Sequence, residues 1–172
     1  AAQLLALTNV SATITSSLQT DELIDSLLDQ VKTIIPYDTG ILWLRQGNQL
    51  TVRAAAGFED SDQRVALSVA EEDSALLGEM IATSRPISVP DVREDSRFTS
   101  LIEYERLSWL GVPLLSKGEV VGVVALEKAE ANYYTPEHIA SMITFAGQAA
   151  VALVNARLYE ESVSRAAELD QR

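Results

Sequence analysis

The sequence contains no cysteine, and histidine occurs once, as His138. A chain without thiols forms no disulfide, no thiolate metal site and no iron–sulfur cluster. It also offers neither a cysteine nucleophile nor a thioether anchor for a chromophore. A single histidine cannot build a multi-histidine metal site. We therefore expect no metal centre and no thiol chemistry.

Basic residues are also few, because 13 Lys and Arg stand against 25 Asp and Glu, which gives a formal net charge of −12. Proteins that bind nucleic-acid phosphates carry a basic stripe, and docking on anionic lipid also uses clustered positive charge. The charge balance therefore predicts that neither nucleic acid nor a membrane surface is a partner of this segment.

The N-terminal residues lack the basic region and apolar core that mark a secretory signal. The most membrane-like stretch, Ile139 to Leu158, contains the polar residues Ser141, Thr144 and Gln148. This polarity favours a buried or subunit-contacting helix over a membrane span. The predicted location is the cytoplasm, a reducing aqueous compartment.

Apolar residues make up 47% of the chain, which is enough for the core of a single domain over residues 1–172. Apolar residues at helical spacing predict an N-terminal helix within residues 1–19. A second helix is predicted to begin at Thr20 and to end before Pro36.

Two β-hairpins are predicted where apolar segments flank a glycine-containing turn, 40–45 with 49–56 and 108–116 with 119–128. Short strands are predicted at 64–69 and 87–89, with a short helix around 76–81 between them. The hairpin strands are apolar on both faces, so helices must cover both sides of the sheet. The predicted fold class is α/β (α+β), a three-layer α/β/α domain with a mostly antiparallel sheet.

Gly122 lies inside the valine-rich strand of the second hairpin. Glycine at such a position predicts the close approach of another element. Strand alternation predicts that Val121 and Val123 face one way and that Gly122 shares its face with Val124.

A long last helix is predicted from the Thr-Pro-Glu tripeptide at 135–137, which supplies a cap, a first-turn proline and an acid. Val163, Ala166 and Leu169 keep an apolar spacing beyond the body, so residues 157–172 are expected to form a projecting extension. We predict a parallel homodimer through the terminal helices, which would pass a change in packing to an output domain of the same parent chain. The alternative is that the ends fold back or fray.

Several segments of the second half follow one another in a pattern typical of one family. They are Ser-Trp-Leu-Gly-Val-Pro-Leu at 108–114, Gly118, Val-Gly-Val-Val-Ala-Leu at 121–126, the helix start at Thr135, and the stretch 149–159. In this order, on a hairpin and then a helix, they resemble the GAF domain. The resemblance covers roughly residues 4–161.

The GAF resemblance implies a six-stranded antiparallel sheet, with the first and last helices on one face and a small-molecule pocket on the other. It implies a regulatory module of a larger protein. The favoured parent protein is a bacterial sensor histidine kinase of a two-component system, and a diguanylate cyclase is the second choice. The stretch 87–92 is similar to the pocket loop of the cyclic-nucleotide members. Lys128 matches the Asn-Lys pair of that group, with Glu127 in place of the Asn. The absence of cysteine excludes a bilin attached in the usual way.

The expected pocket lies between the sheet and the polar, loop-rich segment 74–107. Its ligand is an unknown small molecule, and Asp91 has a second interpretation, as the cap of the turn after Pro90. The aromatic residues among those that line the pocket have a second interpretation as ordinary core. The predicted ligand-binding residues are Phe58, Leu77, Asp91, Phe98, Tyr104 and Trp109.

Two further features have both a functional and a structural interpretation. The acidic run Glu71-Glu72-Asp73 is either a candidate cation site or a solvated loop. His138 is either a haem ligand or pH sensor, or an ordinary residue in the first turn of the last helix.

Two functions remain open from the sequence. The first is a sensory module that binds a small ligand and signals through its terminal helices, and the second is a ligand-free structural dimerisation module. No catalytic activity is predicted, because neither a nucleophile elbow nor a phosphate loop is present.

Overall fold

A six-stranded sheet forms the centre of the molecule in the computed structural model, which describes residues 22–98 and 105–170. Its order is β3-β2-β1-β6-β5-β4, and all neighbouring strands pair antiparallel. The six antiparallel strands expected from the resemblance are therefore confirmed. The strands are β1 (Thr39–Gln46), β2 (Gln49–Ala56), β3 (Ser68–Ala70), β4 (Ile87–Val89), β5 (Ser108–Ser116) and β6 (Glu119–Lys128).

Helices cover both faces of this sheet. Helices α1 and α4 share one core with the sheet, and α3 packs on the opposite face. The predicted N-terminal helix at 1–19 and the predicted helix start at Thr20 lie outside the described residues. The helices are α1 (Leu27–Ile34), α2 (Ser61–Arg64), α3 (Ala75–Thr83) and α4 (Pro136–Asp170), with 3₁₀ turns at Glu71–Asp73 and Val92–Glu94.

The two strands that are apolar on both faces lie at the middle of the sheet, as predicted. Strand β1 pairs with β6, and each has further strands on its other side. Leu42 and Val124 point toward α1 and α4, whereas Trp43 and Val123 point toward α3. Burial on both faces explains why neither strand shows a simple polar–apolar alternation.

The core under α1 and α4 is built on the alternate residues of the central strands. Tyr37 joins α1 to it by donating a hydrogen bond from its hydroxyl to the Leu28 carbonyl at 2.7 Å. Burial, aided by the negative charge of Asp29, raises the pKa of Tyr37 to about 12. The most buried members of this core are Val31, Ile35, Leu42, Leu110, Val112, Leu114, Val124, Leu126, Met142 and Ala149.

Two sequence-based expectations about strands are wrong. The predicted strand at 64–69 begins only at Ser68, because Arg64 ends a helical turn and pairs with Asp60 at 2.8 Å, four residues earlier. Val121 and Val123 do not share a face. A register shift after Leu114 turns Val121 toward the core of α1 and α4 and leaves Val123 under α3.

Helix α4 has 35 residues and is about 52 Å long at 1.5 Å per residue. Its buried residues run from Met142 to Ala156, and the side chains beyond are mostly exposed. By length and composition alone this helix could cross a bilayer, a property that the core helix of a domain also has. Here one face of α4 packs on the sheet, as the sequence predicted for a buried helix.

Gly122 shows the close approach that its position predicted. A Cβ built there would lie 2.4 Å from the Trp43 backbone oxygen and 3.4 Å from Leu153 Cδ1. We expect Gly122→Val to lower the free energy of unfolding by about 1–3 kcal/mol, because the β1 backbone must shift to make room. Urea denaturation monitored by tryptophan fluorescence measures this change. Unchanged or increased stability would show that the β1 backbone can shift at this point without a cost in free energy.

Candidate functional site

The layer under α3 brings together three of the predicted ligand-binding residues. Leu77 and Trp109 are 5% and 6% exposed, and Phe98 is half-buried beside them. The Phe98 and Trp109 rings meet edge to face with their centroids 6.1 Å apart, a favourable aromatic geometry. Their buried neighbours in this layer are Leu50, Leu76, Met80, Ile87, Val89, Val92, Val120, Val123 and Ala125.

The Trp109 indole lies across Gly111 on strand β5. A Cβ on Gly111 would lie 2.3 Å from Trp109 Cη2 and 3.0 Å from Met80 Cε. Any larger residue at 111 would therefore displace the indole. The Trp109 side chain thus lies in the layer under α3, on the sheet face where the resemblance implied a ligand.

Asp91 adopts the capping arrangement. Its Oδ1 accepts a hydrogen bond from the Arg93 backbone N–H at 3.0 Å, and Arg93 Nη2 donates to Oδ2 at 2.7 Å. The hydrogen bonds from the Arg93 side chain hold the pKa of Asp91 below its usual value. The carboxylate of Asp91 therefore fixes the turn at 92–94 in this structure.

The same arrangement repeats four residues later. Asp95 Oδ1 accepts from the Arg97 backbone N–H at 2.9 Å, and Arg97 Nη2 pairs with Asp95 Oδ2. Arg97 Nη1 also reaches Glu79 Oε2 of α3 at 2.6 Å. Hydrogen bonding to the Arg97 guanidinium lowers the pKa of Asp95 to about 2. These two Asp-x-Arg turns anchor the loop that follows β4.

Phe58, another predicted ligand-binding residue, is not among the residues of the layer under α3. Phe58 lies after β2, with the Arg64 guanidinium 3.9 Å from its ring centroid and that of Arg106 at 5.3 Å. Phe58 is therefore held by arginines at the edge of the layer, apart from Leu77. Tyr104 lies outside the described residues.

A polar row that the sequence reasoning did not identify crosses the sheet beside Trp109. The register places Thr39 opposite Glu127 and Glu127 opposite Trp109, so all three face the α3 side. Arg106 Nε donates to Glu127 Oε2 at 2.9 Å. The Thr39 hydroxyl is buried, the residue being 1% exposed, and has no hydrogen-bond partner among residues 22–98 and 105–170. Only the strand register reveals this row, since its members are far apart in sequence.

His138 and the acidic run both have structural partners. Thr135 and His138 cap each other, because Thr135 N–H donates to His138 Nδ1 at 3.1 Å and His138 N–H donates to Thr135 Oγ1 at 3.3 Å. Glu71 pairs with Arg45 at 3.3 Å. Within the described ranges, no group of three or more acidic or histidine side chains is arranged to hold a metal ion.

Residues 17–154 match the family model described as the GAF domain. Because this match covers most of the 172 residues, the chain belongs to the GAF domain family. GAF domains are sensory and regulatory modules of signalling proteins.

Solved structures support the same fold. The GAF domain of a phosphoenolpyruvate-protein phosphotransferase from Coxiella burnetii matches with a TM-score of 0.73 at 17% identity, covering 90% of this chain and 98% of that one. The GAF domain of a two-component sensor histidine kinase from Bacillus halodurans matches with a TM-score of 0.68 at 17% identity, covering 81% and 97%. A GAF domain/HD domain protein from Geobacter sulfurreducens gives 0.73 at 14% identity, covering 84% and 97%.

The Asp95–Arg97 turn predicts a specific dependence of stability on pH. The folded-state pKa of Asp95 is lowered to about 2, so its stabilising effect is full above the unfolded value near 4 and is lost as the pH falls through 2. We expect the Asp95→Asn variant to be less stable than the unsubstituted protein at neutral pH. The difference should shrink between about pH 4 and pH 2. Denaturation curves across this range measure it, and a difference independent of pH would contradict the role of the carboxylate charge.

Proposed function

We propose that this chain is a non-catalytic regulatory module of a cytoplasmic signalling protein, and that it forms a parallel homodimer through α4. The signal passes along α4 to an output domain of the same parent chain. The favoured parent is a sensor histidine kinase, and a diguanylate cyclase is the second choice. The observation that carries the proposal is an exposed apolar stripe on α4 that packs on none of the elements described above.

This stripe lies on the side of α4 that faces away from the sheet. Ile143, Val151 and Leu158 are 50%, 61% and 58% exposed. Gly147, Val151, Val154 and Leu158 follow one another at intervals of four, three and four residues, which places them on one helix face. A second α4 with the same stripe would remove these side chains from water.

Gly147 gives independent support to a close helix contact. Apart from the nearby backbone of its own helix, no heavy atom of residues 22–98 and 105–170 lies within 4 Å of the position that its Cβ would occupy. Glycine inside a helix costs about 1 kcal/mol relative to alanine. Since no neighbour in the described part of the chain requires the missing side chain, a partner helix that approaches closely supplies a physical reason for it.

Sedimentation velocity at micromolar concentration tests the dimer. We expect Val151→Glu to weaken association by about tenfold or more, because two introduced carboxylates would meet near the twofold axis. Gln148→Glu is the matched control, since it adds the same charge at an exposed position off the stripe and should leave association unchanged. Gly147→Ala distinguishes a close helix contact at this position from an ordinary exposed glycine. If the contact exists, the substitution should weaken the dimer, although alanine raises the stability of an isolated helix. The dimer is refuted if the unsubstituted protein is strictly monomeric, or if the two glutamate variants have equal effects on association.

A small ligand on the α3 side is the second candidate function. The buried Thr39 hydroxyl, which has no hydrogen-bond partner in the part of the chain that the structure describes, favours it, because an unpaired buried polar group costs about 1–3 kcal/mol. Glu127 lies opposite it and is tied to Arg106. A ligand that accepts from or donates to Thr39 would enter beside Trp109 and move the indole.

Two buried hydroxyls provide a matched test of this candidate. Ser108 is 1% exposed like Thr39, but its hydroxyl donates to the Glu130 carbonyl at 2.6 Å and accepts from the Tyr133 N–H at 3.0 Å. We expect Thr39→Val to leave the ligand-free protein as stable or more stable, and Ser108→Ala to destabilise it by about 1–3 kcal/mol. Native mass spectrometry of freshly purified protein should show a small molecule that Thr39→Val loses. Equal destabilisation by both variants, with no retained molecule, would favour the ligand-free dimerisation module.

A further inference from the structure

A cleft lies at the end of the sheet opposite to Thr39. Its volume is about 530 Å³, which is within the range of small-molecule sites. The turns of both hairpins meet there with the end of α3 and with the part of α4 that carries Arg157. Gly47 and Gly118, with φ of 60° and 80°, form the tips of those turns.

The cleft brings two arginines to one opening. Arg45 comes from the α3 side of β1, and Arg157 comes from α4, which packs on the opposite face. Such a pair stands out in a chain with a net charge of −12. Glu119 and Ser84 line the same opening, so residues with acceptor and donor side chains stand beside the two arginines.

Neither arginine is fully engaged by its protein partners. Arg45 Nη1 donates to the Val120 carbonyl and Nη2 to Glu71 Oε2, both at 3.3 Å. Its Nε is buried and has no partner in the described part of the chain. Arg157 Nε is 3.9 Å from Glu161 Oε1, which is longer than a hydrogen bond. Each Nη of Arg45 keeps a second N–H besides the bond named, and the Arg157 guanidinium keeps donors as well, so these groups, rather than the buried Arg45 Nε, can meet an oxyanion.

We propose that this cleft binds a small organic anion through its carboxylate or phosphate group, held between Arg45 and Arg157. Guanidinium groups match such planar or tetrahedral oxyanions with paired hydrogen bonds. Asn48 and Ser84 are among the other polar residues of the lining.

The position of Arg157 gives the bound anion a mechanical effect. Ala156 is the last buried residue of α4, so Arg157 stands where the helix leaves the body. An anion shared with Arg45 would fasten this point of α4 to the sheet. This consequence rests on the proposed signalling role of α4, whereas the binding itself does not.

Titration with inorganic phosphate and, separately, with succinate tests the binding, followed by amide chemical shifts at constant ionic strength set with chloride. We expect saturable shifts at Gly47, Asn48, Gly118 and Glu119, and the stronger of the two probes identifies the headgroup. Arg157→Gln, at a half-exposed position, should weaken binding about tenfold, since a hydrogen bond to a charged group contributes about 1.5–3 kcal/mol.

Arg45→Gln should weaken binding similarly, and Arg85→Gln is the matched control. Arg85 is exposed near the same end of the sheet but does not line the cleft. Shifts no larger than those with chloride, or shifts that survive both cleft variants, would overturn the proposal. Sedimentation of the same samples separates the two ideas, because failure of anion binding leaves the dimer measurement unaffected.

Discussion

The pairing of β1 with β6 is the constraint on which the rest of the molecule depends. Both strands are apolar on both faces, so the sheet is stable only when helices cover both sides. Each cross-strand pair therefore contributes to one core or the other, as Leu42 with Val124 and Trp43 with Val123 do. The positions of α1, α3 and α4 follow from this requirement.

The two covered faces are packed by different kinds of side chain. Small alanines on α4, such as Ala146 and Ala149, bring that helix close to the sheet. On the other face the large side chains of Trp109 and Met80 fill the layer under a helix of nine residues. The first face carries a helix of 35 residues, and the second carries a helix of nine residues and a loop that ion pairs anchor.

Local signals explain how much of the fold the sequence predicted. The bounds 49–56, 108–116 and 119–128 agree with the structure, because each strand ends at a turn or changes composition there. The shift that separates Val121 from Val123 depends on the partner strand, so no local pattern indicates it. The strand predicted from residue 64 begins only at Ser68, because the Arg64 N–H closes a helical turn on the Asp60 carbonyl at 3.1 Å and Ala66 has a φ of 75°, which a strand does not allow.

The site was predictable only in part. Leu77, Phe98 and Trp109 pack in one layer, since the segment that carries Leu77 and Phe98 covers the sheet face from which Trp109 points, whereas their role toward a ligand stays a prediction. Thr39 gave no signal, because its burial and its lack of a partner follow from the strand register. No sequence pattern indicates the cleft between Arg45 and Arg157 either, since its walls come from four separated parts of the chain.

The projecting part of α4 also sets an angular phase. Each residue of an α-helix turns the chain by about 100°. One residue inserted after Ala156 would therefore rotate everything that follows by about 100° about the helix axis, whereas seven inserted residues would return it to within about 20°. The number of residues in the extension therefore sets the orientation of anything joined to this helix, as well as its distance from the body.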